Sequence, residues 1–144
     1  MLRLSRVLYE EIIAHCRSQY PKEACGILAG TDGVVEQVYP MTNVEDSPIG
    51  YSMDPKEQLL VEKQMRSRGQ QMVGIFHSHT ASGAYLSSVD VSLAISPEVS
   101  YVLVSLKDQE HPDFKSYRID GRTITPEPVV IEDASSGRRP VGTV

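Results

Sequence analysis

Cysteine is scarce in this 144-residue chain, which holds Cys16 and Cys25 and no others. Two thiols are too few for a disulfide framework and suit a reducing cytosol. No apolar run approaches the roughly 18 residues that a membrane helix needs. There is no long Lys/Arg cluster, and the formal charge is −5, which argues against nucleic acid as the main ligand. The opening MLRLSRVLYEE has acids where an export signal carries its apolar region, so no such signal is read. No internal repeat is found. What remains is 40% apolar and 23% charged, the composition of a soluble, cytoplasmic protein with one buried core. The single shift in composition comes at residues 132–144, EDASSGRRPVGTV, which lack periodic apolar positions. They are expected to form a flexible tail behind one domain spanning residues 1–131.

Within that domain the period alternates. Leu4, Val7, Leu8, Ile12 and Cys16 fall at helical spacing, predicting an amphipathic helix over residues 5–18 that ends before Pro21. EACGILAG and VVEQVYP are short β-type runs around Thr31-Asp32-Gly33, a hairpin signal. In DPKEQLLVEKQMRSRG, Asp54 is a cap, Pro55 takes the first helical position and Glu57 follows three residues after the cap. Gly69 closes a helix expected over residues 55–68. QMVGIF and YVLVSL read as strands, the second apolar on both faces as a central strand would be. FKSYRI and RTIT flank Asp120-Gly121, a second hairpin signal. Hairpins with intervening helices predict an α+β domain built on a mixed, mostly antiparallel sheet flanked by helices.

Chemistry concentrates in GIFHSHTASGAYLSSVDVSLA, residues 74–94. If the strand stays extended through Ser78, His77 and His79 project to the same side, ~6–7 Å apart along the backbone. Two imidazoles so placed can converge on one metal ion, with Asp90 adding a carboxylate from the following element. Three protein ligands leave a fourth tetrahedral position for water, the layout of a catalytic zinc site. A plainer account also fits. Ser87-Ser88-Val89-Asp90 has the capping-box pattern ahead of an apolar run, and a helix from Ser88 to about Ile95 would explain those residues without a metal. Spacing leaves both accounts open, and they are compatible.

Resemblance adds what spacing does not. His77-Ser78-His79, then Ser87 and Asp90, resembles the H-x-H…S-x-x-D signature of the JAMM (MPN+) metalloproteases. PKEACGILAG places Glu23 where that family has its upstream glutamate. The order of elements is similar over about residues 1–131. Thr80 departs from the family, most of whose members have proline there. HSHTASGAY, PMTNVEDSP and DPKEQL resemble the actinobacterial Mec-type branch. Its members hydrolyse a cysteine adduct from the C-terminus of CysO, a ubiquitin-like sulfur carrier, in cysteine biosynthesis. The resemblance implies a cytidine-deaminase-like JAMM/MPN fold and one Zn2+ per chain on His77, His79 and Asp90. It implies Glu23 as general base and then acid, Ser87 as donor to the oxyanion, and a partner protein ending in Gly-Gly.

Each of these residues has a competing account. Without the resemblance Glu23 reads as a solvated residue at a strand start, and Ser87 as a helix cap only. Cys25 shares a strand face with Glu23, but a lone strand cysteine reads as a small core hydrophobe, neither ligand nor nucleophile. His15 reads as a helix-surface residue and His111 as a loop residue; Tyr85 and Asn43 are candidates for a substrate groove. Three other functions remain in view: an isopeptidase acting on a different adduct, a non-catalytic scaffold of the same fold, and a zinc nucleoside deaminase. The last requires H-x-E and P-C-x-x-C motifs, and neither is present. Monomer and homodimer both remain open.

Overall fold

The computed structural model describes residues 1–45, 50–84 and 96–133. Ser5 ends strand β1 (Leu2–Ser5) and caps helix α1 (Arg6–Gln19), its hydroxyl accepting the Leu8 N–H at 3.2 Å. Ile12, Ile13 and Cys16 are buried along one stripe of α1, with Leu8 and Tyr9 packed partly against the same core. Val7 is not on that stripe. It is 59% exposed, because five residues back from Ile12 is ~140° around a helix. Leu4, also read as part of the helical pattern, is instead a buried residue of β1.

The first hairpin forms where expected, between β2 (Cys25–Thr31) and β3 (Val34–Met41). Asp32 and Gly33 both have positive φ, 51° and 76°, as a two-residue type I′ turn demands. Helix α2 (Pro55–Ser67) is capped by Asp54, which accepts the Lys56 N–H at 3.0 Å. The rest of the expected capping box is absent. Glu57 instead reaches the end of β3, accepting from the N–H and hydroxyl of Thr42 at 2.7 and 2.9 Å. At the other end Gly69, at φ 67°, lets Gly69 N–H reach Arg66 O and Gln70 N–H reach Met65 O. That is a Schellman closure, and it explains the glycine.

The remaining strands are β4 (Gln71–His79), β5 (Ser100–Ser105), β6 (Asp113–Asp120), β7 (Thr123–Glu127) and β8 (Val129–Glu132). They complete one sheet of order β7-β6-β5-β4-β2-β3-β1-β8. Neighbours are antiparallel except β1·β3, β1·β8 and β4·β5, so the expected α+β class with a mixed, mostly antiparallel sheet is what forms. β5 is buried along its whole length, as its apolar sequence predicts. The two edge strands are separated in sequence by Pro128 alone. A flat eight-stranded sheet would hold its edges ~33 Å apart, whereas Glu127 and Val129 are at most ~7 Å apart. The sheet must therefore curl until its edges meet. Glu127 stands at that seam, accepting from Ser116 Oγ at 2.7 Å, Arg118 Nε at 3.1 Å and the Met1 amine at 3.3 Å.

Apolar clusters cover both faces of the sheet. On one face Leu2, Leu4, Leu28, Phe76, Val102 and Val104 pack with the buried stripe of α1. On the other, Cys25, Ile27, Ala29, Tyr39 and Met41 pack under Val61 and Met65 of α2. Gly26 lies between them because a Cβ there would come within 2.1 Å of the Phe76 ring. Strands β4 and β5 are parallel neighbours, so residues 80–99 are the crossover that a parallel pair requires. The expected helix at 88–95 falls in that crossover, outside the described residues. So do residues 134–144 of the expected tail; the strand β8 itself runs to Glu132.

Candidate active site

β4 stays extended through both histidines, so the parity argument holds and their side chains share a face. His77 and His79 are 5% and 6% exposed, with ring centroids 5.2 Å apart and 65° between planes. Across the ladder, His77 pairs with Cys25. The Ser78 N–H donates to Ala24 O at 3.0 Å, which carries the same antiparallel register one residue beyond the end of β2. One residue further lies Glu23, of the same parity as His77 and His79 and likewise buried, at 5% exposure. The structure thus places Glu23, buried, two residues before β2 at the end of the sheet where β4 presents His77 and His79 on one face. Ser87 and Asp90 lie outside the described residues.

Residues 5–120 match the family model for prokaryotic homologs of the JAB domain. The chain belongs to this family. It is 46% identical over 124 residues to a CysO-cysteine peptidase of Mycobacterium tuberculosis, the match covering 85% of each chain. Against a desampylase of Haloferax volcanii it is 32% identical over 111 residues, 72% of this chain and 80% of that one. The solution structure of a protein from Desulfitobacterium hafniense superposes with a TM-score of 0.86 at 41% identity, covering 94% of this chain and 96% of that one.

The two described donors of this JAB-family chain, His77 and His79, have the spacing of a zinc-bound pair. Two imidazoles bound to one zinc at a tetrahedral angle, each ~2.0–2.1 Å from it, would have centroids about 5 Å apart, and 5.2 Å is observed. Nδ1 of His79 lies 3.2 Å from Gly83 O and 3.0 Å from Ser82 Oγ. A carbonyl can only accept, so the contact with Gly83 favours the tautomer that carries its proton on Nδ1 and leaves Nε2 as the lone-pair nitrogen a metal needs. That loop is itself tied down: Ser105 Oγ donates to Ser82 O, and Tyr117 OH donates to Ala84 O at 2.6 Å. Among the described residues no group of three His, Cys, Asp or Glu could hold a metal ion. Glu23 therefore does not complete the histidine pair as a third ligand.

Tyr51 was not anticipated. Its ring stacks on His77, with centroids 4.7 Å apart and planes 26° from parallel; an aromatic residue shortly before a helix cap carries no signal of that contact. Asn43 proves to be something other than a groove residue. It is 6% exposed, and its Nδ2 donates to Glu23 O and Gly50 O while its Oδ1 accepts from the N–H groups of Glu45 and Ser52. Two donors and two lone pairs are all an asparagine amide has, so nothing is left for a substrate. Tyr85, the other groove candidate, lies outside the described residues.

The cysteines and the remaining histidines divide simply. Cys25 is fully buried under α2, and burial pushes its thiol pKa up to about 12, which makes it a core residue as read. Cys16 behaves likewise, also at about 12 through burial. His111 is an exposed loop residue beside Asp108. His15 is not simply a surface residue of α1. It packs edge-on against Phe76 at 6.0 Å, with Nε2 3.2 Å from Cys25 O, and burial lowers its pKa.

Proposed function

We propose that this chain is a zinc-dependent peptidase that cleaves the amide bond after the C-terminal Gly-Gly of a ubiquitin-like, CysO-like sulfur-carrier protein and releases cysteine. The observation that carries this reading is the pair of buried imidazoles, His77 and His79, at the end of β4, with a buried carboxylate, Glu23, two residues before the neighbouring strand β2. The 46% identity to a CysO-cysteine peptidase supports the choice of substrate.

His77, His79 and Asp90 would hold the metal. When bound, zinc polarises the scissile carbonyl and brings the pKa of water to roughly 7. Tyr51 holds the plane of the His77 ring, and the Gly83 carbonyl favours the His79 tautomer that leaves the Nε2 lone pair to the metal. Glu23 takes the proton of the attacking water and returns it to the departing amine. Ser87 donates its hydroxyl to the developing oxyanion. Water is consumed, the carrier regains its C-terminal carboxylate and cysteine leaves as the free amine. A Gly-Gly tail suits the site because no β-carbon obstructs its approach. The two free thiols support a reducing, cytoplasmic location, and no described helix is long and apolar enough to cross a membrane.

The likeness to a desampylase supports a second reading, an isopeptidase acting on a protein adduct. Mass spectrometry of a carrier–cysteine adduct incubated with the zinc-loaded protein separates the two. Loss of one cysteine residue from the carrier is the expected result. An intact adduct beside rapid cleavage of a lysine-linked conjugate would establish the isopeptidase instead.

A further inference from the structure

The regular ladder of β2 begins at Cys25, so Glu23 precedes the strand that ought to hold it. The peptide group joining Glu23 to Ala24 is nevertheless held at both polar atoms. Its carbonyl, Glu23 O, accepts from Asn43 Nδ2 at 2.9 Å. Its N–H, on Ala24, donates to Ser78 Oγ at 2.8 Å. Both partners are buried: Ser78 is fully inaccessible and Asn43 is 6% exposed. Ser78 lies between the two histidines on β4. The amide of Asn43, in turn, is held by the backbone of Gly50, Glu45 and Ser52.

We propose that Ser78 and Asn43 are positioning residues for Glu23, gripping the Glu23–Ala24 peptide from its two ends. Fixing this peptide plane fixes ψ of Glu23 and φ of Ala24, and so the direction in which the glutamate side chain leaves the backbone. Ser78 does this from the strand that carries His77 and His79, which ties the base to the metal-binding pair through one hydroxyl. The inference rests on Glu23 acting as the general base. A misplacement of ~1 Å at a reacting group costs on the order of 10²-fold in rate, so modest loosening here has a measurable effect.

The test compares wild type with Ser78→Ala, Ser78→Thr and Asn43→Asp. The last removes both Nδ2 donors while keeping the Oδ1 acceptor. Four quantities are measured: kcat and KM on a carrier–cysteine adduct, bound zinc, melting temperature, and amide exchange at Ala24. Ser78→Ala is expected to lower kcat by roughly 10–100-fold, with KM and zinc content kept and Ala24 exchange faster. Ser78→Thr, which keeps the hydroxyl, should recover most of kcat. Asn43→Asp should lower kcat in the same way at temperatures where it remains folded. Wild-type kcat in both Ser78→Ala and Asn43→Asp would overturn the proposal, as would a loss of kcat that follows a loss of zinc. If wild type leaves the adduct intact, it is the peptidase reading that fails. The exchange measurement then decides alone: faster Ala24 exchange in Ser78→Ala supports the grip, and unchanged exchange overturns it.

Discussion

The ring of Tyr51 lies 4.7 Å from that of His77, nearly parallel to it. The contact comes from the segment before α2 and holds the imidazole plane from outside β4. Residues that orient a metal ligand typically contribute ~10–100-fold in metal affinity. Tyr51→Ala is therefore expected to weaken zinc binding about tenfold, and Tyr51→Phe to leave it near wild type. Competition with a chromogenic chelator measures both.

Zinc itself should be present at close to one ion per chain and be removed by chelation together with activity. His77→Ala and Asp90→Ala should each abolish both zinc and turnover, as read by elemental analysis of the purified proteins. Full zinc occupancy in the double variant His77→Ala, His79→Ala would exclude the site.

Glu23→Gln keeps the shape of the side chain but cannot accept a proton. Turnover should fall by roughly 10²–10⁴-fold while zinc stays bound. Ser87→Ala should cost roughly 10²–10³-fold if its hydroxyl serves the oxyanion. An unchanged rate with a lower melting temperature would mark Ser87 as a helix cap alone.

Gly26→Ala tests the packing behind the site. The new methyl would lie 2.1 and 2.3 Å from two Phe76 ring atoms and 2.8 Å from Tyr39 O. Phe76 is fully buried and has no room to retreat. A loss of about 3 kcal/mol is expected in urea unfolding, at the upper end of overpacking costs; wild-type stability would show that the ring can shift.

Glu127 makes stability pH-dependent. Burial alone would raise its pKa, but the hydrogen bonds from Ser116 and Arg118, with the Arg118 charge, outweigh burial and lower it from 4.5. The folded state thus holds this proton more weakly than the unfolded chain. The stabilisation is fully present above about pH 4.5, and is lost as pH falls through the lowered folded value. Glu127→Gln should flatten that part of the stability–pH curve, measured by denaturant unfolding at successive pH values.

Much of this protein was legible in its sequence because the signals are local. Asp32-Gly33 adopts positive φ on its own account, Asp54 and Gly69 bound α2 through contacts a few residues away, and strand alternation alone places His77 and His79 on one face. Three things were decided only by the tertiary structure, since each joins residues far apart in the chain. Glu57 turned from its own helix cap to Thr42, because a strand end with donors to satisfy lay within reach. His15 was half covered, according to where the sheet lay against α1. The grip on the Glu23–Ala24 peptide needs Ser78, 54 positions from Ala24, and Asn43 on a separate loop. Periodicity records which face a residue takes. Which partner meets it there depends on the register in which β2 and β4 pair, and that register is settled by packing the whole core at once.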